Sequence, residues 1–120
     1  MGLPSVIIKG GLKHQREDAY AVYKWCLPRL GITDYDHLVT IYLRKIYQGD
    51  HHGYCQDLGK KHYKIVVAVN QPLRQWVMTL VHELVHFKQY KEGVWTGDGE
   101  EEAWALQEQL TDELWAEDIL

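Results

Sequence analysis

The stretch Leu73–Lys91, LRQWVMTLVHELVHFKQYK, runs 19 residues without Gly or Pro and reads as the longest helix of the chain. At 100° per residue, Gln75, Thr79, His82, His86 and Tyr90 share one narrow stripe. Leu73, Trp76, Val77, Leu80, Val81, Leu84, Val85 and Phe87 fill the rest of the circumference. A helix of this pattern is buried on most sides and keeps one polar seam. Working outward, Asn70, Gln71 and Pro72 separate it from Tyr63–Val69 (YKIVVAV), which with Val39–Ile46 (VTIYLRKI) has the β-branched and aromatic character of a strand. Between these two, Gln48–Lys61 holds Gly49, Gly53 and Gly59 and reads as a turn-rich connection, with a short strand near Tyr54. Further upstream, Ala19, Tyr20, Val22, Tyr23, Cys26 and Leu27 recur at helical spacing from Glu17 until Pro28 and Gly31 stop the pattern.

Downstream, Gly93 ends the long helix and GVWTGD forms a turn. Asp98 and Glu101 make a D-x-x-E capping box, and a last helix starts near Gly99 with Ala103, Leu106, Leu110 and Leu114 facing inward. The order helix, strands, helix, helix predicts an α+β fold with a small antiparallel sheet, in one domain spanning 1–120.

Composition narrows the partners. The 120 residues carry 13 Lys and Arg against 17 Asp and Glu, and a net charge of −4 offers no basic excess for a phosphate backbone, so no nucleic acid is expected. No apolar run approaches the roughly 20 residues of a membrane span. The start MGLPSVIIKGGLKHQ lacks the apolar core of a secretory signal, so no membrane partner and a cytoplasmic location are expected. Cys26 and Cys55 stand far apart with no C-x-x-C and read as free thiols.

The polar seam carries His82-Glu83-Leu84-Val85-His86, an H-E-x-x-H. His86 lies about 40° around the helix from His82 and one turn along it, so both imidazoles can hold one Zn²⁺ with Glu83 beside them. Two histidines and a carboxylate on a mostly buried helix need a shared partner, since an unpaired buried polar group costs about 1 to 3 kcal/mol. Zinc with two His usually takes a third protein ligand and keeps a fourth position for water when the site is catalytic. No histidine follows His86, which leaves Glu100, Glu101 and Glu102. Glu101 is taken by the capping box. The inward face of the last helix favours Glu100, whereas the climb from Gly93 back to the level of His86 favours Glu102, and both stay open.

The run from Thr79 to Tyr90, TLVHELVHFKQY, followed by Glu100-x-Glu102-Ala103-x-Ala105-Leu106-Gln107, resembles the small gluzincin-type zinc metallopeptidases, most closely the phage and bacterial SprT-like minimal forms. The resemblance covers about Leu73–Gln107. It implies a minimal zincin fold, His82 and His86 as zinc ligands, Glu83 as general base to a zinc-bound water, a glutamate of E-x-E-A as third ligand, and a peptide or protein substrate. It also implies that Lys64–Val69 is the sheet edge along which the peptide lies. The competing expectation is a zinc-stabilised binding or regulatory module without peptidase activity. Outside the motif, His51 and His52 read as solvated imidazoles of an exposed turn and His62 as an inert strand-edge residue. Tyr90 reads as a packed tyrosine on the metal stripe, and Trp95 as a cover for the cleft or a partner contact.

Overall fold

A computed structural model describes residues 6–46 and 51–120. Its elements are β1 (Val6–Gly10), α1 (Lys13–Arg29), β2 (Leu38–Arg44), β3 (Gly53–Gly59), β4 (His62–Ala68), α2 (Leu73–Glu92) and α3 (Glu100–Ala116). The class is α+β, with three helices and a four-stranded sheet in the order β1-β2-β4-β3 among the described residues.

The sheet departs from the antiparallel expectation. β1 pairs parallel to β2 and β2 parallel to β4; only β3 and β4 are antiparallel. Two causes account for this. Val6–Gly10, not anticipated as a strand, is joined to β2 through the 17-residue helix α1, a connection long enough to bring the chain back parallel. Then β3 crosses to the far edge, and a tight turn returns β4 between β2 and β3. That turn holds Lys60 and Lys61 at φ 53° and 59°, the left-handed backbone that favours two-residue hairpins. The edge expected at Lys64–Val69 is therefore corrected: β4 is internal, and β3 is the edge strand on that side.

The pleat sorts the strands into two faces. Val39, Ile41 and Leu43 of β2 and Tyr63, Ile65 and Val67 of β4 point inward and are buried against α1 and α2. α2 packs on β3, β4, α1 and α3, and Trp76, Val77, Leu80, Val81, Leu84, Val85 and Phe87 are all buried as their spacing requires. Leu73 differs: at the first position of α2 it is exposed. Each fully buried Leu or Val is worth about 1.5 to 3 kcal/mol, so the face opposite the polar seam fixes α2 against the sheet. Gly93 ends α2 in the left-handed conformation, at φ 73°, and its N–H donates to the Gln89 carbonyl. Ala103, Leu110 and Leu114 bury α3, with Leu106 half-buried beside them. The expected capping box does not form. Gly99 is the N-cap, and Asp98 instead accepts from the Glu100 N–H at 3.0 Å.

Candidate metal centre

The stripe anticipated on α2 opens onto a cleft of about 640 Å³ whose wall includes Gln75, Thr79, His82, Glu83, His86 and Tyr90. Facing it from α3 are Glu100 and Gln107, and from β3 Gly53, Tyr54 and Cys55. His82, His86 and Glu100 each bring one ligand atom within 4.8 Å of the others. Glu100 Oε1 lies 3.3 Å from His82 Nε2 and also meets His86 Nε2. Glu102 turns away, to Lys88 Nζ at 3.0 Å and to Gln89 Nε2 at 2.9 Å. Those two donors, the Gln89 amide foremost, hold the Glu102 carboxyl below the usual carboxylate range. Glu101 is exposed.

Two glutamines set the imidazoles. Gln89 is only 3% exposed, and its Nε2 donates to the Gly99 carbonyl at 3.0 Å and to Glu102. Its Oε1 is therefore the atom that faces His86 Nδ1, at 2.9 Å. An amide oxygen only accepts, so His86 Nδ1 carries the proton and Nε2 presents its lone pair to the cleft. Gln107 Oε1 sits 2.7 Å from His82 Nδ1 and imposes the same tautomer. Two lone pairs and one carboxylate oxygen then converge on one place. Acceptors that converge repel each other unless a cation or added protons lie between them, so this donor set fits a divalent metal.

Glu83 is buried beside this group. Burial pushes its carboxyl up to about 7, with His86 opposing the shift and Glu100 adding to it. β3 passes close over it: a Cβ on Gly53 would stand 2.7 Å from Thr79 Cγ2, 2.8 Å from the Val66 carbonyl oxygen and 3.4 Å from Glu83 Cγ. Glycine is what lets the edge strand approach α2 at this point. Gly99 (φ 80°) has the same role at the other wall, where a Cβ would collide with Gln89 Oε1.

His51 and His52 lie at the cleft, both exposed, and Tyr90 lines it at 38% exposure with Trp95 edge-on to its ring at 5.9 Å. His62 is elsewhere, on β4, with Nε2 3.2 Å from Thr40 Oγ1. Cys26 and Cys55 are free, and burial raises both thiols, Cys26 to about 12. A second grouping, Asp34, Asp36 and His37, already holds a cation: Lys91 Nζ lies 2.7 Å from Asp34 and 3.0 Å from Asp36.

Sequence reasoning assigned no role to Gln89, Gln107, Gly53 or Gly99. Gln89, three positions after His86, is within reach of its ring on the helix surface, a signal present in the sequence. Nothing local marks Gln107, because its partner is on another helix. Compared with family models, with curated proteins and with solved structures, the chain matches none.

Proposed function

We propose that this protein is a zinc-dependent metallopeptidase of the gluzincin type, with His82, His86 and Glu100 as metal ligands and Glu83 as general base. The observation that carries the reading is the convergence of two Nε2 lone pairs and one carboxylate oxygen, each imidazole backed by a glutamine, beside a buried carboxyl. A set of two His and one Glu leaves a tetrahedral metal one open position, as a catalytic site needs. When bound, a zinc ion supplies Lewis-acid polarisation of a carbonyl oxygen and lowers the pKa of its water toward about 7.

The remaining steps belong to the chain. Glu83, held near neutrality by burial, accepts the proton of the attacking water and returns it to the leaving amine nitrogen. Gln89 and Gln107 keep both imidazoles aimed without taking part in proton transfer. Among the described residues β3 pairs with β4 alone, and its outer backbone edge is the one offered to an extended peptide. This moves the substrate strand from Lys64–Val69 to Gly53–Gly59. Tyr90, at the same cleft, stands one helical turn beyond His86, where its hydroxyl can donate to a developing oxyanion.

The test uses the full chain purified without an affinity tag. Zinc content and hydrolysis of a fluorogenic peptide mixture are measured for wild type, His82→Ala, His86→Ala and Glu83→Gln. The histidine variants lose the metal, whereas Glu83→Gln keeps it and loses hydrolysis. A Glu83→Gln protein that hydrolyses at the wild-type rate removes the general base from the reading. Zinc retained at wild-type level in both histidine variants ends it.

A further inference from the structure

The side of the sheet turned away from α1 and α2 is covered by no helix among the described residues, and its composition differs from the rest of the surface. One register row crosses all four strands: Lys9 of β1 stands beside Tyr42 of β2, Tyr42 beside Val66 of β4, and Val66 beside Tyr54 of β3. The neighbouring row on the same face is Ile7, Thr40, Lys64 and Gln56. Val66 is buried between two tyrosines that keep solvent access, Tyr54 at 38%. Lys64 Nζ lies 5.4 Å from the Tyr42 ring centre and 5.7 Å from that of Tyr54, and the Arg44 guanidinium lies 4.8 Å from Tyr42. The outward positions of these strands thus hold three cations, Lys9, Arg44 and Lys64, and no Asp or Glu.

The net charge of −4 hides this segregation. Residues 98–120 hold nine carboxylates and no Lys or Arg, while residues 1–97 hold all 13 Lys and Arg against eight carboxylates. The acid lies largely on α3, which packs on α2 and not on the sheet's open side. The expectation against nucleic acid rests on the sum, and the sum averages the acidic α3 with a sheet face whose outward charges are all positive.

We propose that this open face binds single-stranded nucleic acid. Cations between and beside two aromatic rings recognise a chain of phosphates carrying flat bases: the ammonium and guanidinium groups neutralise phosphates, and the rings stack bases. A bare anionic surface would need the cations but not the rings. A duplex keeps its base faces stacked inside and has none to offer. The tyrosines stand two strands apart, roughly 10 Å, so the platform takes two or three nucleotides and its affinity is modest. Most of the face lies across the sheet from the candidate metal centre, and Tyr54, on the edge strand, is the residue that it shares with the cleft; neither the metal nor hydrolysis enters the binding proposed here.

The test is a fluorescence-anisotropy titration of labelled single-stranded DNA and RNA oligonucleotides, about 12 nucleotides long, with the full chain. With three cations engaged, the logarithm of affinity falls with the logarithm of salt at a slope of about −2, so raising salt from about 50 to 200 mM weakens binding about 15-fold. Tyr42→Leu with Tyr54→Leu keeps the apolar cover over Val66 and lowers affinity at least about tenfold with the salt slope unchanged. Tyr54→Leu alone, on the edge strand, shows a partial loss should the double variant unfold. Lys64→Glu lowers both affinity and slope, while Lys24→Glu, exposed on α1, changes neither. Binding to DNA or to RNA with this pattern supports the proposal. It is overturned by absence of binding to either, by tyrosine variants that bind as wild type, or by equal losses in Lys24→Glu and Lys64→Glu. Binding to phosphatidylserine vesicles in place of oligonucleotide would make the face a lipid surface. A self-association abolished by Lys64→Glu, without oligonucleotide binding, would assign it to the acidic helix of a second copy.

Discussion

Replacing Gln89 by Leu preserves most of the volume of a buried side chain and removes every polar contact it makes. Three hydrogen bonds are lost: from His86 Nδ1, to the Gly99 carbonyl and to Glu102. The Glu102 carboxylate is partly exposed and still paired with Lys88, so water replaces much of that bond. The Gly99 carbonyl and His86 Nδ1 are left facing an apolar side chain. An intramolecular hydrogen bond is worth about 0.5 to 1.5 kcal/mol net, and a buried group left unsatisfied costs about 1 to 3 kcal/mol, so metal-free Gln89→Leu should be about 2 to 4 kcal/mol less stable by urea unfolding. The second effect is on the metal. Without an acceptor at Nδ1 the His86 tautomer is no longer fixed, and zinc affinity, read by competition with a chromophoric chelator, should drop about 10- to 100-fold. Gln89→Glu separates the two effects. A carboxylate still accepts from His86 Nδ1, so affinity recovers relative to Leu, but it cannot donate to Gly99, so stability does not. Equal zinc affinity in wild type and Gln89→Leu would reduce Gln89 to packing and refute the orienting role.

The ligand order is tested by alanine at the three glutamates: Glu100→Ala should lose most zinc affinity, Glu102→Ala no more than about 10- to 100-fold through Gln89, and exposed Glu101→Ala should stay within about 0.5 kcal/mol of wild-type stability. Gly53→Ala, whose Cβ would press on the Val66 carbonyl and Thr79, should cost about 1 to 3 kcal/mol and lower peptide turnover by lifting β3 off Glu83; a wild-type urea midpoint would contradict the close approach. His37 gives a pH signature. Its pKa is lowered, chiefly by burial and further by Lys91, with Asp34 and Asp36 opposing. The unfolded chain therefore binds this proton at a higher pH than the native one. The contribution is complete above the unfolded value of about 6.5 and is lost as pH falls toward the folded value, by at most about 1.4 kcal/mol per pH unit. Urea midpoints of His37→Gln and wild type should converge from pH 7 to pH 5, and a constant gap would show that His37 does not titrate differently on folding.

The helices were legible in the sequence and the sheet order was not, for a physical reason. α2 is specified by its own wheel: the same residues that make it helical make it buried, so Trp76 to Phe87 could be assigned from periodicity alone. Strand pairing is decided by residues far apart in the chain. β1 is five residues closed by Gly10 and Gly11, too short for a pattern to stand out. The β3–β4 turn uses two lysines at positive φ, where Asn or Gly would have announced it. Missing both, a reading of the sequence alone expects an antiparallel sheet.

The third carboxylate shows how a local argument can weigh the wrong obstacle. Reach favoured Glu102 because the chain had to climb from the end of α2 to the level of His86. Six residues separate His86 from Glu92, which at 1.5 Å per residue is about 9 Å. The seven residues of the connection, Gly93 to Gly99, span up to about 23 Å when extended. Reach was never limiting, and what selects the residue is how the turn is held at its end. Gln89 Nε2 grips the Gly99 carbonyl, and the absence of a Cβ at Gly99 admits that grip. Glu100, the first residue of α3, is then delivered against both imidazoles, while Glu102 falls back onto Gln89 and Lys88. One buried amide thus orients His86 and places the residue that meets it, so Gln89 couples the two helices at the point where the candidate centre joins them.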